Sequence, residues 1–146
     1  MYVTAALTTR MRRARVITGD ATRLEYDALV EKDCDYLQID IEPPLASLGV
    51  LLRMPLEKRR FAVVTFEHDD YGSPGIKQRS RQYLRSHGYV LVVGDIAPDR
   101  YNNFEDWWVH PELVGARILE KMRDTSEGAK RADDYMLARG SVQECS

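Results

Sequence analysis

Apolar positions along this chain follow two alternating rhythms. The run from Phe61 to Phe66 is almost wholly apolar, the pattern of a strand buried on both faces, and it predicts the sheet centre. Shorter runs at Arg15 to Thr18, Tyr36 to Ile41 and Tyr89 to Gly94 predict three more strands, the first stopped by Gly19-Asp20. Helical spacing fills the gaps. Thr22 and Glu25 have the capping-box spacing, and Tyr26, Leu29 and Val30 share a face behind them. Leu45, Leu48, Leu51 and Leu52 keep helical register between Pro43-Pro44 and Pro55. Ile76, Tyr83, Leu84 and His87 form the stripe of another helix, with Gly88 placed to end it in a left-handed residue.

The turn-rich stretch holding Pro98, Asp99, Asn102 and Asn103 leads into Phe104 to His110, an aromatic run that predicts a strand paired antiparallel with Tyr89 to Gly94. Pro111 opens a last helix with Val114, Ile118 and Met122 on one face, and the polar tail beyond Arg123 reads as partly helical. Strands alternating with helices predict an α/β fold with an open, mostly parallel sheet and a C-terminal antiparallel hairpin. No repeat or linker divides it: residues 14–123 read as the α/β domain, 1–13 as a basic N-terminal segment and 124–146 as a polar tail. In such sheets ligands bind where strands end at their carboxyl termini.

Composition narrows the classes. A chain of 146 residues, 44% hydrophobic and 30% charged, suits one core and argues against disorder. Its formal net charge of −2 carries no nucleic-acid footprint, and Arg10, Arg12, Arg13 and Arg15 read as a solvated face. Tyr89 to Val93, the longest apolar run, is far shorter than a membrane span, and no secretory signal is seen, so a cytoplasmic protein is expected. Cys34 and Cys145 are too few for a disulfide framework and fit a reducing compartment.

Three polar clusters follow predicted strands: Gly19-Asp20, Asp40-Ile41-Glu42 and Glu67-His68-Asp69-Asp70. Alternation points Asp40 and Glu42 the same way, and Glu67 and Asp69 likewise. Carboxylates converging with one imidazole suit general-base work or a hard cation, whereas Asp70 reads as a helix cap. His87 and His110 fit helix-end roles, and of Trp107 and Trp108 one faces the core. GxGxxG, Walker A, HExxH and GxSxG are all missing, so no nucleotide cradle, zincin or serine-hydrolase signature is present.

Four ordered blocks carry a resemblance: 35–44 (DYLQIDIEPP), 60–69 (RFAVVTFEHD), Arg79-Ser80-Arg81 with Gly88-Tyr89, and 104–109 (FEDWWV). Over residues 14–114 the chain resembles the later half of FkbM-type methyltransferases. The resemblance implies a Rossmann-like, S-adenosylmethionine-dependent domain ending in an antiparallel hairpin. It implies that Gly19, Asp20 and Ala21 lie beside the cofactor adenine, with Asp20 accepting from its amino group. Asp40 and Glu42 then lie near the transferred methyl, and Glu67 or His68 takes a proton from an acceptor hydroxyl on a small molecule or sugar. The Gly-rich first turn and the ribose-binding acid of a full domain have no counterpart here, so a domain cut near its middle is expected. Two other readings stand beside it. One is a non-catalytic interaction subunit that oligomerises through its open sheet edge. The other is a metal-dependent hydrolase using Asp40, Glu42, Glu67 and His68.

Overall fold

The computed structural model describes residues 16–98, 101–124 and 126–135. Arg10, Arg12, Arg13, Arg15, Asp99, Cys145 and the tail beyond Tyr135 lie outside the described residues. The fold is α/β around a four-stranded open mixed sheet. A 3-10 turn, Ala21–Arg23, and a short helix α1, Tyr26–Leu29, lead into strand β1, Asp33–Ile39. Then come α2 (Pro44–Arg53), β2 (Arg60–Glu67), α3 (Ile76–Ser86), β3 (Val90–Ile96), β4 (Glu105–Val109) and α4 (Ala116–Met122), with a closing 3-10 turn at Ala132–Tyr135. No helix of the described residues is long and apolar enough to cross a membrane.

The strand order is β1-β2-β4-β3, with β1 and β2 parallel and β4 antiparallel to both its neighbours. The expected hairpin therefore forms, but β4 also wedges between β2 and β3. This corrects the mostly parallel expectation: β3 runs in the same direction as β1 and β2, yet never pairs with β2, so one ladder is parallel and two are antiparallel.

The apolar run read as the sheet centre is the inner strand β2, with Phe61, Val64 and Phe66 buried against Leu48, Leu51, Ile76 and Leu84 of the two helices and Trp108 of β4. Proline placement starts α2, with Pro44 in its first turn, and Ser47 pins the turn before it by donating to the Ile41 carbonyl and accepting from the Ile41 amide. The β3 strand starts two residues after Gly88, whose φ of 83° is the left-handed conformation expected after α3.

The N-terminal expectations change most. Residues 16–18 form no strand, because Val16 and Ile17 are 66% and 43% exposed and have no ladder to join. The Thr22–Glu25 capping box is not made either. Asp20 takes the cap instead, its Oδ1 accepting from the Thr22 amide at 3.0 Å and the Thr22 hydroxyl at 2.7 Å. After Pro111 the chain turns, with the Leu113 and Val114 amides both on the His110 carbonyl, and the helix begins only at Ala116. Its Ile118 and Met122 are exposed.

Candidate functional site

The carboxyl ends of β1 and β2 and the beginning of the reversed β4 meet on one rim of the sheet. Glu67 at the end of β2 is paired directly with Glu105 at the start of β4. Asp40 follows β1 and hydrogen-bonds Glu67. Burial raises the Glu67 pKa to about 8, reinforced by the shared bond with Asp40 and by the charges of Asp40, Asp69 and Glu105. Burial also raises Glu105, opposed by a hydrogen bond from the Trp107 indole N–H and reinforced by Asp40.

A cleft of about 380 Å³ opens beside this rim, lined by Glu67, Asp69, Tyr71, Pro98, Asn102 and Phe104. Among the described residues its lining holds no lysine, arginine or histidine. Tyr71 is 60% exposed and its phenol pKa is raised, first by the charge of Asp69, with Glu42 and Glu67 adding to it. Asp69 sits at φ 42°, a left-handed conformation that a non-glycine residue adopts only at a cost of roughly 1–3 kcal/mol. The turn is held there by the Phe104 carbonyl, which accepts from both the His68 and Asp69 amides.

The structure thus brings Asp40 to Glu67 and Glu42 within electrostatic reach of Tyr71, while of the three only Glu67 lines the cleft. His68, grouped with them from sequence, points the other way. Its ring is fully buried, Nδ1 accepts from the Asp70 amide at 3.2 Å, and Nε2 lies 3.6 Å from Asp106 Oδ1. That Nε2 has no hydrogen-bond partner. Asp70 accepts from the amide of Gly75, the residue before α3, and pairs with Lys77, but no side chain caps the first turn of α3, so the helix cap expected of Asp70 is not made. Gly19, Asp20 and Ala21 lie at the 3-10 turn that packs on α2, and no hydrogen bond among the described residues engages Asp20 Oδ2.

Beneath the rim lies a buried ionic network that sequence reading left without a role. Arg81 on α3 grips Asp106 with two bonds of 2.7 Å, and Asp106 also accepts from the Asp95 amide. Arg81 and Lys77 both reach Asp95. Burial alone would raise the Asp106 pKa, but Arg81 and then His68 outweigh it and hold the carboxyl at about 2. His68, Asp95 and Asp106 offer three ligand atoms within 4.8 Å of one another. They fit a metal ion poorly, because Arg81 and Lys77 already supply the cations and the Asp70 amide claims Nδ1. The signal for this network was available in sequence as an acid beside the Trp108 core position and an arginine on the α3 stripe.

Against known proteins, the chain matches no family model, no curated protein and no solved structure.

Proposed function

We propose that this chain is an S-adenosylmethionine-dependent methyltransferase domain of the FkbM type, directed at a hydroxyl of a small molecule or sugar. The observation that carries the reading is the gathering of Asp40, Glu67 and Glu105 at one rim, with Glu67 held as an acid of pKa about 8. The hairpin that wedges β4 between β2 and β3 agrees with the C-terminal hairpin implied by the resemblance.

The residues suit the group in charge. Among the described residues the cleft is lined by carboxylates and by no cationic side chain, which favours a positively charged sulfonium, and no hydrogen bond among them engages Asp20 Oδ2, the atom assigned to the adenine amino group. When bound, S-adenosylmethionine supplies an electrophilic methyl on sulfur. The protein's part is positioning and proton removal. Asp40 and Glu42 face the donor side, and Tyr71 and Phe104 wall the acceptor. Glu67 takes the hydroxyl proton: burial, and then its bond to Asp40 and the neighbouring like charges, make it a stronger base than an ordinary carboxylate. His68 is a positioning residue in this scheme, since its ring lies under the rim and ties the β2–α3 turn to Asp106.

Calorimetry with S-adenosylmethionine tests the reading. Measurable binding that weakens in Asp40→Asn is the expected result. No heat and an unmoved melting temperature at millimolar cofactor would overturn it.

A second reading, an interaction subunit, is favoured by one observation. The outer edge of β3 is covered by bridges from Asp124 and Lys130, whereas among the described residues no strand covers the outer edge of β1. Solution mass separates the two, because a strict monomer counts against pairing through β1.

A further inference from the structure

A second cavity lies away from the acidic cleft. It has a volume of about 510 Å³ and sits between the second half of α3, the outer side of β3 and the segment Arg123–Lys130. From this cavity we infer a second binding site, for a phosphorylated small molecule, with its phosphoryl group held by Arg85 and Arg123 over Lys130.

The charge balance is the first argument. Four cations, Arg81, Arg85, Arg123 and Lys130, line the cavity against three acids, Asp95, Asp124 and Glu127. The chain as a whole has the opposite bias, 21 basic to 23 acidic residues. Two of the three acids are already engaged. Asp95 is shared by Lys77 and Arg81, and Asp124 accepts from the Ser126 amide and the Tyr135 hydroxyl. Glu127, which is exposed, makes no hydrogen bond or ion pair among the described residues.

The cations are the second. Lys130 is 8% exposed, and its ammonium donates to the backbone carbonyls of Gly94, Ser126 and Gly128 rather than to a carboxylate. Its full charge is therefore set into the wall. Arg85 lies with its guanidinium 5.8 Å from the centre of the buried Trp108 ring, a cation–π contact that leaves its N–H fork for a ligand. The Arg123 side chain makes no hydrogen bond or ion pair among the described residues. Two guanidinium forks beside a fixed ammonium suit the tetrahedral oxygens of a phosphoryl group. The volume falls in the usual range for small-molecule sites.

Isothermal titration with inorganic pyrophosphate on the full chain tests the site. One-to-one binding is expected, weakened about tenfold or more by Arg123→Gln and by Arg85→Gln. Arg23→Gln removes the same charge from the distant 3-10 turn and should change affinity less than twofold. Arg123 is exposed and makes no side-chain hydrogen bond or ion pair among the described residues, so Arg123→Gln decides the matter if Arg85→Gln fails to fold. Absence of binding at millimolar pyrophosphate overturns the proposal. So does an equal loss in Arg23→Gln, which would mean diffuse attraction of anions. Binding to phosphatidylglycerol vesicles or to a polyglutamate peptide without any to pyrophosphate would overturn it as well.

Discussion

Glu67 and Glu105 stand directly opposite each other on adjacent antiparallel strands, two carboxyl groups where a sheet ordinarily avoids like charge. The arrangement holds because one proton is retained: Glu67 is pushed up to about 8 by burial and by Asp40. If Glu67 is the base for methyl transfer, activity rises with pH through an inflection near 8, where the carboxylate forms. Glu67→Gln removes that inflection and lowers turnover about 10²–10⁴-fold. A pH–rate profile of both proteins checks this.

The same group sets a stability trend of opposite direction. Its folded pKa of about 8 exceeds the ordinary 4.5, so the folded state binds more protons across that window and stability falls as pH rises through it. Glu67→Gln escapes the loss. Its melting temperature should exceed that of the parent by more at pH 9 than at pH 5, and melts at the two pH values measure the difference.

For the Arg81–Asp106 pair the sign reverses. Asp106 is held at about 2 against an ordinary 3.8, so its contribution is present above 3.8 and disappears as pH falls toward 2. Asp106→Asn leaves Arg81 facing a neutral amide in a buried site and should cost about 3–5 kcal/mol in chemical denaturation. Adding Arg81→Met should recover part of that loss, because the two changes share one interaction.

Gly94 makes room for the pair. A Cβ there would lie 2.9 Å from Arg81 Nη2, 3.1 Å from Leu91 Cδ2 and 3.3 Å from Asp106 Oδ1. Gly94→Ala should therefore destabilise the fold by about 1–3 kcal/mol, the range for overpacking, and urea melts read it directly. Gly88→Ala costs less, about 1–2 kcal/mol, and for another reason: open space surrounds it, but its φ of 83° strains any L side chain.

What could be read from sequence followed from local rules. Phe61 to Phe66, the stripe from Ile76 to Leu84 and the stop at Gly88 each depend on periodicity or on one backbone angle, and each is found close to its expected place. The pairing of Trp107 and Trp108 also obeyed alternation, since Trp108 is fully buried while Trp107 meets Tyr135 on the opposite face. What failed depended on partners. Val16 and Ile17 look like a strand but have no neighbour to pair with, and the position of β4 between β2 and β3 is a choice among edges that periodicity does not encode. At the site, Asp40, Glu42 and Glu67 were legible as acids after strands. Glu105 was not, because it opens its strand rather than following it and reaches the rim only by reversal of β4. His68 was misjudged in direction, since the turn at Asp69 swings it under the sheet.

Glu105 and Asp106 are neighbours in β4, yet one carboxyl is raised and the other is held at about 2. A slip of this strand by a single residue would swap their faces, sending Asp106 to the crowded rim and leaving Arg81 opposite an apolar or indole side chain. Such a misthreaded sheet would forfeit both arrangements at once. The alternation of two acids therefore adds to the burial of Trp108 in fixing the register of β4.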